Sequence, residues 1–279
     1  MFIIILKNEN IIKYVYLTNR LTGYPIQRLR KEICTMSNRK SVLITGASRG
    51  IGKAIAYEFA KNGYDLYLTC KNNFDLLKRI KLEIENMQQG NYVRCHIFIC
   101  DMGKASDVEK LFQEIPALDV IVNNAGISYV GLLTDMSVEE WHSVMATNLD
   151  SVFLTCKFGV PKMLSNHKGK IINISSVWGN VGASMEVAYS ASKGAVNTFT
   201  KALAKELAPS DIQVNAISCG LIDTDMNACF SEEELHYIIE EIPSDRIGQP
   251  VEVARLCHML AEAPEYMTGQ IITLDGGWT

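Results

Sequence analysis

The feature that most restricts this chain is Thr45-Gly46-Ala47-Ser48-Arg49-Gly50-Ile51-Gly52, set between the apolar run Val42–Thr45 and an amphipathic stretch reaching about Asn62. Glycines at these spacings permit a tight strand-to-helix turn and close backbone approach. The helix that follows offers unpaired N–H groups and the positive end of its dipole to a phosphate. A purely structural corner reads the same way in isolation, but placement between a first strand and a first helix favours a pyrophosphate site. Gly46, Ser48, Arg49, Gly50, Ile51 and Gly52 are therefore expected to touch a dinucleotide.

Beyond this turn, short apolar runs alternate with helical stretches, as βαβ units on a parallel sheet require. Strands are predicted at Val42–Thr45, Leu66–Cys70, Val93–Ile99, Val120–Val122, Lys170–Ile174, Gln213–Ala216 and Gln270–Leu274. Ser106-x-x-Glu109, Ser137-x-x-Glu140 and Ser231-x-x-Glu234 each match a capping box at a helix start. The expected architecture is α/β: a doubly wound parallel sheet of about seven strands between two helical layers, forming one domain over residues 36–279.

Residues 1–35 stand outside that alternation and carry a charge of +4, leaving −8 for the remainder of a chain whose net charge is −4. An amphipathic surface anchor, a disordered arm, and upstream sequence ahead of a true initiator at Met36 all fit. The last is preferred, because a basic, weakly periodic arm has no evident folding role. The acidic body argues against nucleic acid as a partner. The longest apolar run near the start, Phe2–Leu6, is far short of the roughly 20 residues of a membrane span. Eight cysteines without a C-x-x-C pair read as buried thiols in a reducing cytoplasm, with no metal site.

The second strand ends Thr69-Cys70-Lys71, with no carboxylate at the tip to accept from a ribose 2′-hydroxyl. Lys71, with Arg49 from the glycine turn, could instead meet a 2′-phosphate, so NADPH is expected over NADH; ordinary solvated charges are the alternative. Asp101 and Met102 follow the third strand, and Asn123-Asn124-Ala125-Gly126 follows the fourth. Both segments should line the crevice beyond the strand ends. Asp101 is placed either to accept from an adenine amino group or to cap a helix.

Ser176 is expected just past the fifth strand, thirteen residues before Tyr189, and Tyr189 and Lys193 are at i and i+4 of the next helix. That spacing puts phenol and ammonium on one face, where the positive charge should lower a tyrosine pKa otherwise near about 10. Such a phenol can protonate a carbonyl oxygen while hydride arrives, with Ser176 holding that oxygen.

From Ser41 to Thr279 the sequence resembles the short-chain dehydrogenase/reductase family, in particular its 3-oxoacyl-[acyl-carrier-protein] reductases. The likeness is carried by Thr45–Gly52, Asp101, Asn123–Gly126, Asn148 in Thr147-Asn148-Leu149, Ser176, Tyr189, Lys193, and Thr268-Gly269-Gln270 to Asp275-Gly276-Gly277. It implies a Rossmann-like fold, catalysis by Ser176, Tyr189 and Lys193, and contact of Lys193 with the nicotinamide ribose. It further implies a water held by Asn148, a nicotinamide held by Gly220, Ile222 and Thr224, and a homotetramer. Where the family usually has Pro-Gly, this chain has Cys219-Gly220.

Leu221–Asp245 is expected to form a mobile lid with Met226, Phe230, Leu235 and Ile238 beneath it, and Trp178, Val181 and Met185 as further pocket wall. An apolar pocket suits an acyl chain, a steroid or an aromatic ketone. Residues 151–185 hold Lys157, Lys162, His167, Lys168 and Lys170 and no carboxylate until that range ends. They are a candidate dock for acidic acyl carrier protein, or else the solvent face of a helix and its exit loop. Against docking, the end of the long catalytic helix reads Ala208-Pro209-Ser210-Asp211, without the basic residue common in such reductases. A dehydrogenase of sugars, polyols or steroids, and a non-catalytic nucleotide-sensing module, are the competing readings.

Overall fold

A computed structural model describes residues 39–87, 93–227 and 230–279. The arm at 1–35, Met36, Cys34 and Cys229 lie outside the described residues. The unit described below is Lys40–Thr279.

Seven parallel strands form one sheet in the order β3-β2-β1-β4-β5-β6-β7. They are β1 (Ser41–Ile44), β2 (Asp65–Cys70), β3 (Cys95–Ile99), β4 (Val120–Asn123), β5 (Gly169–Ser176), β6 (Ile212–Cys219) and β7 (Ile271–Leu274). All seven expected strands are present. The largest revisions are β5 and β6, which run two and three residues further, so Ser176 closes its strand instead of following it. Both strands are buried along their full length, and the polar side chains at their ends find partners on the helices above them, Ser175 on Lys193 O, Ser176 on Trp178 N and Ser218 on Asn180, which the sequence pattern alone does not disclose.

Strand alternation sorts the core into two layers. Val42, Ile44, Val120, Val122, Ile172 and Ile174 face Ile55 and Phe59 of α1 (Gly50–Lys61), Ile80 of α2 (Phe74–Asn86) and the helix Pro250–Ala261. Leu43, Ile121, Ile171 and Val214 face the opposite layer. There they meet Phe112 of α3 (Ala105–Glu114), Val152 and Cys156 of α5 (Ser151–Leu164), and Val196 of the long helix Val187–Leu207. The six described cysteines are all buried and unbridged.

On the second face, α4 (Val138–Met145) packs on the helix Val187–Leu207 and runs through a π-helical segment, Ala146–Asp150, into α5. A short turn, α6 (Trp178–Val181), precedes α7 (Val187–Leu207). The remaining helices are α8 (Glu232–Glu241) and α9 (Pro250–Ala261). Capping boxes close the starts of α4 at Ser137 and α8 at Ser231. The expected box at Ser106 does not form: α3 begins at Ala105, and Ser106 Oγ meets Asp107 inside the first turn. Among the described residues no helix is long and apolar enough to cross a membrane.

Candidate active site

Strand order reverses between β1 and β4, and the carboxyl ends of the strands around that point open into a cleft of about 460 Å³. At one end lies the glycine turn. Gly46 has φ +65°, and a Cβ there would sit 2.9 Å from the Ala125 Cα. At Gly52 a Cβ would meet Gly46 O at 2.3 Å and Asn124 Nδ2 at 2.5 Å. Only bare backbone fits at both positions, and the first turn of α1 is thereby left open to the cleft.

Asn124 holds the turn in shape. Its Nδ2 donates to Thr45 O at 2.9 Å and Gly46 O at 3.0 Å, while Thr45 Oγ1 accepts from the N–H groups of Asn124 and Ala125, both at 3.0 Å. Its side chain thus fixes the turn's backbone instead of reaching outward. Ser48, Arg49, Gly50, Ile51, Met102, Gly126, Gly220, Ile222 and Thr224 also line the cleft.

At the tip of β2, Lys71 Nζ lies 2.9 Å from Asp101 Oδ2. Burial pushes the Asp101 carboxyl up, but Lys71, the Gly103 N–H and Lys104 outweigh it and hold the group below the usual carboxylate range. Asp101 caps no helix, since the residue before α3 is Lys104. Arg49 reaches across the mouth to Asp225 at 3.5 Å. The open first turn of α1 and the bare glycine surface fit a dinucleotide, with two exposed cations, Lys71 and Arg49, at the same end of the cleft.

Toward the other end, Ser176, Tyr189 and Lys193 converge. Ser176 hydrogen-bonds Tyr189, and its Oγ accepts from Trp178 N at 3.2 Å. Lys193 Nζ donates to Ile174 O at 2.9 Å and lies 5.6 Å from the centre of the Tyr189 ring. Burial dominates both titrations. It lowers Lys193 to about 8, and it raises Tyr189 with help from Cys219 and Glu186, against the hydrogen bond from Ser176. The phenol is thus raised instead of lowered as expected, because desolvation outweighs the hydrogen bond from Ser176. Cys219 pairs in register with Ser176, and burial pushes its thiol up to about 12, an unreactive state.

Asn148 sits in the π-helical segment, where an extra residue per turn turns its side chain inward. Its Nδ2 donates to Ile127 O and Ser192 Oγ, each at 2.9 Å, and its Oδ1 accepts from Ile127 N at 2.8 Å. Both amide protons are spent on protein, and Asn148, fully buried, is not among the residues lining the cleft.

A family model described as short chain dehydrogenase matches residues 40–235. The chain is a short-chain dehydrogenase. It is 39% identical over 241 residues to the uncharacterized oxidoreductase YmfI of Bacillus subtilis (strain 168), covering 86% of this chain and 98% of that protein. It is 38% identical over 243 residues to the 3-oxoacyl-[acyl-carrier-protein] reductase FabG of Aquifex aeolicus (strain VF5), covering 85% and 96%. The crystal structure of YwfH, an NADPH dependent reductase involved in bacilysin biosynthesis, superposes with TM-score 0.82 at 27% identity, covering 87% of this chain and 99% of that one.

Several expectations for the substrate half of this dehydrogenase are revised. Met226, Phe230, Ile238 and Trp178 line the cleft, but Leu235, Val181 and Met185 do not; Val181, the last residue of α6, and Met185 beyond it are exposed. The basic run is dispersed. Lys170 is buried at the start of β5, its Nζ donating to Ala263 O at 2.7 Å and its pKa lowered by burial. Lys168 pairs with Glu265, and Lys157 lies over Phe153 and Phe158. Six steps along β5 separate Lys170 from Ser176, about 20 Å at 3.3 Å per residue, so His167, Lys168 and Lys170 lie at the opposite end of the strand from the cleft.

Sequence reading also missed a buried chain from strands to catalytic helix: Asn123 Nδ2 to Asn173 Oδ1, then Asn173 Nδ2 to Thr200 Oγ1, each 2.8 Å. A second runs from Asn197 to Asn180 at 2.8 Å and from Asn180 to Ser218 at 2.9 Å, fixing α6 beneath Trp178. Trp278 and Glu186 are further cleft residues that no motif marked.

Proposed function

We propose that this short-chain dehydrogenase is an NADPH-dependent carbonyl reductase of the 3-oxoacyl-[acyl-carrier-protein] type, working in the cytoplasm as a homotetramer. The observation that carries the reading is one cleft with the glycine turn, Lys71 and Arg49 at one end and Ser176, Tyr189 and Lys193 at the other. Gly46 to Gly52 would hold the pyrophosphate, Lys71 and Arg49 the 2′-phosphate, and Gly220, Ile222 and Thr224 the nicotinamide. The bound cofactor supplies a hydride to the carbonyl carbon. Tyr189 donates its phenolic proton to the carbonyl oxygen while Ser176 hydrogen-bonds that oxygen, and Lys193 stabilises the phenolate left behind. Asn148 holds α7 and the loop at Ile127 in register.

A second reading, reduction of a free small ketone, is favoured by the charge of the lid. Residues 221–245 carry eight carboxylates and no lysine or arginine, which opposes docking of an acidic carrier. Rates with acetoacetyl carrier protein, a ketosteroid and a ketose, each with NADPH and NADH, separate the two. The first reading expects carrier-bound substrate with NADPH to be fastest. A small ketone reduced faster than the carrier thioester establishes the second, and tighter NADH binding overturns the roles given to Lys71 and Arg49.

A further inference from the structure

The substrate half of the cleft contains an acid that the reduction itself does not use. Glu186 immediately precedes α7, three residues before Tyr189, and lines the cleft with Trp178, Trp278, Phe230 and Ile238. It is half-buried, and burial raises its carboxyl against a hydrogen bond from Trp178. Among the described residues no cationic side chain pairs with it. A carboxylate has about four acceptor sites, so the single bond from Trp178 leaves most of its capacity toward the cleft. Glu186 is also close enough to Tyr189 to raise the phenol.

Beside the carboxylate stand two aromatic rings. Trp178 and Trp278 meet edge to face at 4.8 Å and 61°, with Trp278 Nε1 held at 3.4 Å by Glu241 of the lid helix α8. A carboxylate in an otherwise largely apolar compartment walled by two indoles favours an ammonium, which it can ion-pair, over a neutral or anionic group. The segment 221–245 at the mouth has the same sign as Glu186, although the cleft also holds Arg49, Lys71 and Lys193. The lid carries Asp223, Asp225, Glu232, Glu233, Glu234, Glu240, Glu241 and Asp245, which draw cations to the mouth and repel anions.

We infer that Glu186 is a specificity-determining residue that selects ketones bearing a protonated amine near the carbonyl and rejects those bearing a carboxylate. The inference rests on the second reading above, a free small ketone reduced in this cleft. Its test needs no turnover. Three-carbon ketones of one size, aminoacetone, hydroxyacetone and pyruvate, are titrated by tryptophan fluorescence and calorimetry into enzyme saturated with NADP⁺, which cannot reduce them. Aminoacetone is expected to bind at least about tenfold tighter than hydroxyacetone, and pyruvate more weakly than either. In the isosteric variant Glu186→Gln the aminoacetone advantage should fall to within about twofold. Aminoacetone binding no tighter than hydroxyacetone in the wild type, or an advantage that survives Glu186→Gln, overturns the inference. NADPH consumption with the same three ketones reports separately on the reductase reading, so the two failures are distinguishable.

Discussion

At the cofactor end of the cleft the walls are backbone: Gly46 and Gly52 pressed against the Asn124–Ala125 strand end, and the open first turn of α1. At the substrate end they are side chains from α6, the residue before α7, the lid and the last residues of the chain: Trp178, Glu186, Phe230, Ile238 and Trp278. A backbone wall admits almost no substitution, because each added Cβ displaces main chain. A side-chain wall can be rewritten one residue at a time on an unchanged scaffold. The family is thus carried by the first end, and the choice of substrate by the second.

Substitutions can break that division. Tyr189→Phe, at the junction of the two ends, should lower kcat by about 10²–10⁴-fold while NADPH still binds, as read by fluorescence titration. Unchanged turnover would sink the proposed proton transfer and return the chain to a nucleotide-sensing role. Lys71→Ala acts on the cofactor end alone. Loss of a charge-assisted hydrogen bond, about 1.5–3 kcal/mol, should raise the Kd for NADPH by about tenfold or more and that for NADH much less. Equal effects on both cofactors would remove Lys71 from a 2′-phosphate site. The smallest effect belongs to the lid. Ser231→Ala breaks the capping box of α8 at a cost of about 1 kcal/mol, which should speed amide exchange in Glu232–Glu241 about fivefold with no change in NADPH affinity. A matching loss of NADPH affinity would show that the two ends are not independent.

The sheet was legible because parallel strands buried on both faces leave apolar runs in the sequence, and helix starts leave capping signals. The ends of β5 and β6 were not, since Ser175, Ser176 and Ser218 are polar yet buried in the ladder. The convergence of Ser176, Tyr189 and Lys193 could be anticipated from spacing: i and i+4 share a helix face, and a strand end delivers the serine. The basic run at 157–170 left two readings open, a docking patch or an ordinary solvent face, because proximity in sequence does not say whether residues share one surface. A helix antiparallel to its strand carried part of it away from the cleft, and Lys170 was taken into the sheet.

Residue spacing by itself determined the doubly wound sheet, the anion-binding turn and the tyrosine–lysine face, because each is a local property of a strand, a turn or a helix. Tertiary structure alone decided that burial would govern the titration of Tyr189 and Lys193, that Asn148 would spend its amide protons on Ile127 and Ser192, and that Glu186 would share a compartment with Trp178 and Trp278. Those outcomes depend on which distant segments exclude water from a group, and desolvation is set by every neighbour in space rather than by the neighbours in sequence.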